Sequence, residues 1–510
     1  MSRLGCADGR RSRGTAVGDE VIMQSQLGIS GFALYVPSRR VSLQNWCTWT
    51  GNSWSKVEAV VGRGFRMKGP DENVYTLAAT AVLRLIESYD LNPERIGMLA
   101  LGTESSTDNA VGAVIVRGMV DHALEASGRA RLSRNLEVPE IKHACLGGVY
   151  ALKGALRYLN TDGAGRQAIV VAADVAEYAR GSTGEPTQGA GAVAMLVEAA
   201  PRLLAIDVAS SVSASAYRGP DFRKPTLRFF DADYSPGIER LHDFPVFNGK
   251  YSTACYFDEV IAALRTVVDN QDAPGLSWLD SFARVFFHRP YARLPSQAWG
   301  MAVLYALSRD PRGQDILASC AKDSGVAVEA VVAEFERPTD LFTSSGPEGL
   351  ADTPFPAATA ALKAFTRSEH YPRLVAQKLE LGADSMAELG NLYTGALFAW
   401  LASGFAEAQG RRIDLTNERW LLTGYGSGDA SEILSAEVVP DYHKAASRIG
   451  FAETLTDSIV LSQEQYERLH DRGDCDVDIG QRRRFFVDRV GKSGSDPFDE
   501  VGIEYYRLAK

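Results

Sequence analysis

The sequence lacks any closely spaced pair of cysteines. Its six cysteines are scattered over 510 residues, and no C-x-x-C motif joins any two of them. Neither a disulfide framework nor a thiolate zinc site is indicated, and a reducing cytoplasm fits this pattern best. The chain also lacks a run approaching the ~20 apolar residues of a membrane span. These absences predict a cytoplasmic protein without membrane insertion.

Positive charge is in short supply as well. The formal net charge is -10, which argues against nucleic acid or an anionic membrane surface as the main partner. A local basic patch could still bind a phosphate group. The composition, 45% hydrophobic and 23% charged, is that of a globular protein with a large core.

The N-terminal 22 residues have no apolar core of the kind that a secretory signal needs. They predict a disordered tail over residues 1–22. Met23 precedes a strand-like stretch at residues 29–36, which suggests Met23 as the natural start.

Short apolar strand candidates alternate with helical patterns along the first half of the chain. Strands are predicted at residues 96–101, 168–175 and 192–197, and a helix at residues 74–91 follows turn and capping residues. This alternation predicts an α/β fold.

Cys145 is the best-placed nucleophile in the sequence. It lies in His143-Ala144-Cys145-Leu146-Gly147-Gly148, directly before a helix whose apolar residues recur every three or four positions. Free N–H groups and the helix dipole at such a position favour the thiolate. The local pattern alone is equally compatible with a buried, inert cysteine.

Glu104 and His288 are the candidate acid–base groups. Glu104 follows a buried strand, where an apolar pocket could raise its pKa, although a solvent-facing carboxylate is the commoner outcome. His288 ends the strand-like run 285–287 and could act on a thiol or a thioester, or could be purely structural. Arg293 could meet a phosphate group or be an ordinary surface charge.

The second half of the chain repeats the pattern of the first. Residues 390–395 open an apolar helix at 396–405, and a strand at 420–425 follows it, as the strand at 168–173 follows the cysteine helix. If the halves are duplicates, Asn391 approaches Cys145 from the other half. The glycine-rich run 184–195 lacks the Lys-Ser/Thr of a P-loop, so close backbone approach or tight packing explains it better.

Six short motifs follow one another along the chain in a specific order and spacing. They are Gly102-Thr103-Glu104-Ser105, Ala144-Cys145-Leu146-Gly147-Gly148, Pro186-Thr187-Gln188-Gly189-Ala190-Gly191, Phe287-His288-Arg289-Pro290-Tyr291, Gly390-Asn391-Leu392-Tyr393-Thr394 and Tyr425-Gly426-Ser427-Gly428. Through them the chain resembles the hydroxymethylglutaryl-CoA synthases of the thiolase superfamily, with a bacterial-like glycine-rich run. The resemblance covers the chain from about residue 29 to the C-terminus.

The resemblance implies a five-layer αβαβα fold of two similar halves with a strand-containing C-terminal extension. The expected division is a tail at 1–22, an N-terminal half at 23–208, a linker or flap at 209–250, a C-terminal half at 251–440 and the extension at 441–510. It also implies a homodimer.

The resemblance further implies the chemistry. Cys145 would carry an acetyl group from acetyl-CoA, Glu104 would act as general base and acid, and His288 would bind the acceptor, acetoacetyl-CoA. Coenzyme A thioesters would be substrates, with no cofactor and no metal. The residues implied to orient substrate are Thr187, Arg293, Asn391, Tyr393 and Ser427.

Some positions depart from the family pattern and leave the acceptor open. Leu146 stands where an aromatic residue is common, Asn248-Gly249-Lys250 replaces a more usual Asp-Gly, and the connection at 310–384 is long. Trp46, Trp49 and Trp54 crowd a region that often contributes to the acyl entrance.

Two alternatives to a synthase that acts on free acetoacetyl-CoA follow. One is an enzyme that acts on a β-ketoacyl chain bound to a carrier protein, and the other is a catalytically silent protein that only binds acyl-CoA. Glu104 disfavours a decarboxylating ketoacyl synthase, which has no carboxylate base.

Overall fold

The computed structural model describes residues 26–218, 221, 223–224, 244–245, 249–272, 275–337, 353–495 and 499–509. The predicted tail at 1–22 and most of the predicted linker therefore lie outside the described residues. Among the residues that are described, no helix combines the length and the apolar character needed to cross a membrane.

The described residues form fourteen strands. They are β1 Leu27–Tyr35, β2 Arg39–Ser42, β3 Gly64–Met67, β4 Ile96–Gly102, β5 Glu140–Ile141, β6 Gln167–Ala176, β7 Gly189–Ala199, β8 Leu204–Ser215, β9 Arg284–Phe287, β10 Arg419–Gly426, β11 Ala430–Val438, β12 Ile459–Val460, β13 Phe485–Val490 and β14 Glu504–Leu508.

The same residues form seventeen α-helices. They are α1 Leu43–Thr50, α2 Trp54–Val60, α3 Val74–Ser88, α4 Gly112–Ala126, α5 Gly147–Leu159, α6 Lys250–Asp269, α7 Leu276–Asp280, α8 Leu294–Ser308, α9 Pro311–Ser324, α10 Val328–Glu336, α11 Pro356–Phe365, α12 Gln377–Leu379, α13 Ala383–Met386, α14 Ala396–Arg411, α15 His443–Ala446, α16 Phe451–Thr456 and α17 Gln463–Arg472.

Nine strands pair in the order β5-β4-β6-β7-β1-β8-β11-β10-β9. The link between β1 and β8 is short, with Gly28 opposite Ala205 and Ile29 opposite Leu204, so the sheet divides there into two groups. In one group β4 runs parallel to β6, which runs antiparallel to β7; in the other, β9 runs parallel to β10, which runs antiparallel to β11. The predicted repeat of an α/β unit is thus present in the topology.

Helices α5 and α14 lie between the two groups of strands. Helix α5 packs on β4, β6 and β7, while Leu146 and Val149 reach Gly424 of β10 on the opposite side. Helix α14 packs on β9 and β10 and brings Phe405 to 6.4 Å from the Phe32 ring of β1. Helices α3 and α6 cover the outer faces of the two strand groups. The predicted five-layer α/β arrangement is confirmed.

The predicted strands at 96–101, 168–175, 192–197 and 420–425 are confirmed as β4, β6, β7 and β10. The helix predicted over 74–91 ends earlier, at Ser88, because the chain turns into a left-handed conformation at Asp90 (φ 49°). Strand β8 continues to Ser215, past the predicted boundary at 208. Its later residues are mostly Ser and Ala and are half-exposed or exposed, so backbone pairing with β11 orders them without a buried apolar face.

The long connection at 310–384 is largely helical where it is described. Helices α9 and α11 pack on each other and on α8, and so extend the outer helical layer of the second half. In the C-terminal extension, β13 and β14 form a hairpin, and β12 pairs with β2 from the start of the chain. The predicted C-terminal strands are therefore present.

Gly148 is one of the positions at which the two halves approach closely. A Cβ atom there would lie 2.6 Å from the Thr394 carbonyl oxygen and 2.9 Å from the Phe398 ring. We expect Gly148→Ala to lower the free energy of unfolding by about 2 kcal/mol or more, because backbone must shift to admit the methyl group.

Gly154 provides the matched control on the same helix. A Cβ atom there meets nothing nearer than 3.9 Å, so Gly154→Ala should leave stability unchanged or raised. Urea unfolding of both variants checks the expectation. Equal stability of the two would show that the contact between halves is not tight.

Candidate active site

A cavity of about 520 Å³ opens between the two halves. Six of the residues singled out in the sequence line it: Cys145, Thr187, His288, Asn391, Tyr393 and Ser427. Cys145 and Thr187 belong to the first half and the other four to the second. The cavity therefore depends on both halves of the chain.

Cys145 occupies a sharp turn two residues before α5 begins. Ala144 has a φ of 40°, and the Leu146 N–H donates to the His143 carbonyl at 2.9 Å, which closes the turn. The side chain is 7% exposed and packs with Ala176 and two tyrosines. The local sequence thus aims a cysteine at the cavity.

The Cys145 thiol donates to Glu104 Oε2 at 3.4 Å. Burial, reinforced by the neighbouring carboxylates of Glu104 and Asp174, raises the pKa of Cys145 well above its usual value. The expectation that the helix terminus favours the thiolate is wrong for the resting site, because burial and the neighbouring carboxyl groups raise the pKa of the thiol. The resting cysteine is a thiol hydrogen-bonded to Glu104.

Glu104 lies two residues past the end of β4. Burial and the charge of Asp174 raise its pKa to about 8, against smaller opposite effects of Lys224 and the Cys145 hydrogen bond. The group therefore exchanges its proton near neutral pH, as a general base or acid requires. Of the two alternatives left by the sequence, the structure favours the pocket carboxylate over the solvent-facing one.

Asp174 holds the Glu104 loop in place, and the sequence interpretation missed it. Its Oδ1 accepts from the Glu104 N–H at 2.8 Å, from the Thr103 hydroxyl at 2.9 Å and from the Ser105 hydroxyl at 2.7 Å. Its Oδ2 accepts from the Thr394 N–H at 3.0 Å and also from the Thr394 hydroxyl. One fully buried carboxylate thus joins the two halves beneath the base. The available signal was a charged residue inside an otherwise apolar strand.

His288 follows β9 directly and is 3% exposed. Its backbone N–H donates to the Thr423 carbonyl at 2.7 Å, and its own carbonyl accepts from the Tyr256 hydroxyl at 3.1 Å. The ring stacks on Tyr425 with centroids 6.3 Å apart. Burial lowers the pKa of His288 to about 3, so the imidazole is neutral at physiological pH.

The loop at Asn391 packs against the glycine-rich turn of the first half. The Asn391 side-chain oxygen accepts from the Tyr393 N–H at 2.9 Å, and the Asn391 N–H donates to the Thr187 carbonyl at 3.1 Å. A Cβ atom on Gly189 would lie 2.5 Å from the Asn391 carbonyl oxygen. Tight packing, one of the two explanations offered for these glycines, holds at Gly189.

Two groups of residues expected near the cavity, Arg293 and the early tryptophans, lie outside its described lining. Arg293 is exposed at the start of α8 and is not among the described lining residues, although its neighbour Leu294 is. The tryptophans of the early region are also missing from the described lining, where Val60 and Val61 stand instead. Trp46 is buried and donates to Glu185 at 3.1 Å, so its polar edge is satisfied away from the cavity.

The two α/β halves share a cavity that a buried cysteine and an imidazole line, and a carboxyl group accepts a hydrogen bond from the cysteine. This arrangement defines the class of thiolase-fold, acyl-transferring enzymes. Models of hydroxymethylglutaryl-coenzyme A synthase match the sequence twice, the N-terminal model at residues 23–201 and the C-terminal model at residues 367–475. The chain belongs to the hydroxymethylglutaryl-CoA synthase family.

Individual proteins show the same likeness over nearly the whole chain. Hydroxymethylglutaryl-CoA synthase erg13B of Aspergillus fumigatus is 27% identical over 468 residues, which cover 87% of this chain and 89% of the relative. A solved structure of MvaS in complex with 3-hydroxy-3-methylglutaryl coenzyme A is 25% identical, with a TM-score of 0.70, covering 96% of this chain and all of the other.

A more distant solved structure shares the fold. The hydroxymethylglutaryl synthase of the curacin biosynthetic pathway, solved in complex with acetyl donor-ACP, has a TM-score of 0.65 and 20% identity. The match covers 95% of this chain and all of the other.

Proposed function

We propose that this protein condenses acetyl-CoA with acetoacetyl-CoA and water to give 3-hydroxy-3-methylglutaryl-CoA and coenzyme A. The observation that carries the proposal is the 3.4 Å contact between the Cys145 thiol and Glu104, beside the cavity that Cys145 and His288 line. A nucleophile, a base and a neutral imidazole within one site are the groups that this condensation needs.

The first step in this proposal is acetyl transfer to Cys145. The sulfur attacks the acetyl carbonyl of acetyl-CoA, and the bond from that carbon to the coenzyme A sulfur breaks. The proton of the Cys145 thiol passes to coenzyme A, which leaves as its thiol. We assign stabilisation of the oxyanion to backbone N–H groups of the turn before α5. The apolar packing around Cys145 keeps water from the thioester until the acceptor has bound.

The second step is carbon–carbon bond formation. Glu104 removes a proton from the methyl group of acetyl-Cys145, and the resulting enolate attacks the ketone carbon of acetoacetyl-CoA. Neutral His288 binds the acceptor by a hydrogen bond. Because its imidazole is uncharged, it places no cation beside the base, Glu104. Water then cleaves the thioester and frees Cys145.

The remaining predicted site residues have supporting roles in this proposal. Asn391, Tyr393, Ser427 and Thr187 orient the acyl groups, because all four line the cavity. Arg293, exposed beside the lining residue Leu294, binds a phosphate of coenzyme A outside the cavity. The reaction uses no bound cofactor, since the thioesters themselves carry the reactive groups.

Mass-spectrometric detection of the product tests the proposal. Protein mixed with acetyl-CoA and acetoacetyl-CoA should form 3-hydroxy-3-methylglutaryl-CoA, and neither thioester alone should support it. An acetylated Cys145 without product would redirect the proposal to another acceptor. The proposal would be refuted if neither the acetylated Cys145 nor the product formed.

The second candidate changes the carrier of the acceptor and keeps the chemistry. Lys250 lines the cavity, and Arg293 is exposed at its margin, so a phosphate group on coenzyme A or on a carrier protein could bind there. Rates with acetoacetyl-CoA and with an acetoacetyl carrier protein, measured side by side, decide between the two. A homodimer in the cytoplasm completes the proposal, and light scattering tests the dimer.

Condensation should be fastest in mildly alkaline solution. Glu104 must be ionised to act as base, and its pKa is raised to about 8, so the rate should rise with pH and level off above that value. Pre-acetylated enzyme isolates this step, and its rate across pH 6 to 10 checks the expectation. A profile that is flat through neutral pH would assign the base elsewhere.

A further inference from the structure

A second group of reactive side chains lies behind the wall of the active-site cavity. Asp221, Cys255 and Asp429 each offer an oxygen or a sulfur atom, and these three atoms lie within 4.8 Å of one another. All three residues are buried, with exposures of 1%, 0% and 2%. They come from the segment after β8, from α6 and from the turn before β11, so the fold brings together residues distant in sequence.

The two carboxylates are only partly satisfied. The Tyr425 hydroxyl donates to Asp429 Oδ1 at 2.9 Å and lies 3.4 Å from Asp221 Oδ2. Asp221 Oδ1 and Asp429 Oδ2, the other oxygen of each group, are buried and accept from no described N–H donor or hydroxyl group. The two carboxyl groups are hydrogen-bonded to each other, which requires a proton on one of them. A buried carboxylate oxygen without a donor is costly, so both oxygens need a positive charge or a proton.

Nearby positive charge does not balance this group. Among the described residues, the ion pairs of Asp258, Glu259 and Asp429 all go to one guanidinium, that of Arg218, at 2.5, 3.7 and 3.8 Å. Arg218 is closest to Asp258. The single positive charge of Arg218 is therefore shared among several carboxyl groups, and it does not fully compensate the negative charge of Asp221 and Asp429.

We propose that Asp221, Cys255 and Asp429 bind a divalent metal ion of the zinc type. Zinc holds sulfur and carboxylate oxygen ligands at about 2.0 to 2.3 Å, which places the ligand atoms of one ion within about 4 Å of each other. Small side-chain rotations bring the three atoms to that spacing. The sulfur ligand favours zinc or a similar ion over magnesium and calcium, which prefer oxygen alone.

The metal ion has a structural role in this proposal and stands apart from the reaction. The ion joins three elements around the cavity. Tyr425, Ser427 and Ser252 line the cavity, and they are close in sequence to the ligands Asp429 and Cys255. Binding requires the Cys255 thiolate and so releases a proton. Spacing rules could not detect this site, because its ligands share no short motif.

The test is metal binding by full-length protein carrying Cys145→Ser, so that the catalytic thiol cannot bind the ion. Dialysis against zinc chloride followed by elemental analysis should leave about one zinc per chain, as for a dedicated site. Cobalt(II) in place of zinc should give a thiolate-to-cobalt charge-transfer band. Adding Cys255→Ser should abolish the band and most of the bound metal, whereas Cys320→Ser, at another buried cysteine, should change neither.

Asp429→Asn provides a second variant if the Cys255 variant fails to fold, and it too should lose the zinc. Two results would overturn the proposal. Protein that retains no zinc after dialysis would show that the two carboxyl groups share a proton instead. Zinc retained in full by both ligand variants would place the ion elsewhere on the chain.

Discussion

Replacing Glu104 by glutamine is expected to lower the rate of condensation about a thousandfold while acetylation of Cys145 persists. Glutamine keeps the shape of the side chain but cannot accept a proton from the acetyl methyl group. Acetyl transfer needs only a small thiolate fraction, for which water can take the proton, so it should be slowed far less. The variant should therefore accumulate acetyl-Cys145.

Two measurements separate these steps. Mass spectrometry of the protein reports acetyl-Cys145, and deuterium exchange into the acetyl methyl group reports proton removal by Glu104. Both condensation and exchange should fall together in Glu104→Gln, and Glu94→Gln, at an exposed position, should affect neither. Exchange at the wild-type rate in the Glu104 variant would contradict its role as base.

Replacing Cys145 by serine is expected to abolish the acyl-enzyme and to lower product formation by at least about ten thousandfold. A hydroxyl is far less acidic than a thiol, so the serine side chain supplies almost no anionic nucleophile near neutral pH. Any acetyl ester that formed would also have less acidic methyl protons than the thioester. The substitution therefore damages both steps.

Cys320→Ser makes the same chemical change at another buried cysteine, which is 3% exposed on α9. It should retain acetylation and turnover, and peptide mapping should place the single acetyl group of the wild type on Cys145. A labelled peptide containing another cysteine would overturn the assignment of the nucleophile.

Strands and the catalytic candidates were predictable where local patterns carry the information. Glu104 and His288 each follow an apolar strand, and Cys145 precedes an amphipathic helix, so ordinary periodicity marked their positions. The structure lines one cavity with Cys145 and His288 and places Glu104 3.4 Å from the Cys145 sulfur. The grouping of these three residues was implied by the resemblance to the family and not by local pattern. Their chemical roles stay predictions until the variants are measured.

Interactions between distant segments were beyond the sequence. The protonated state of Cys145 depends on burial and on Asp174, a residue that local pattern alone could not connect to Glu104. The grouping of Asp221 with Asp429 depends on how the segment after β8 pairs with the turn before β11, where the Arg218 N–H donates to the Gly428 carbonyl at 3.0 Å. Strand β8 was not predicted, and it crosses the expected boundary at 208, because its later residues are ordered by pairing with β11 and not by an apolar repeat.

The position of β1 has a consequence for how the protein is made. This strand leaves the ribosome early, yet its partners β7 and β8 are synthesised only after the rest of the first half. Strand β2 can pair with β12 only later still, because β12 is near the end of the chain. Such non-local pairing slows folding and leaves strand edges exposed meanwhile. The nascent chain should therefore depend on chaperones until its last segments emerge.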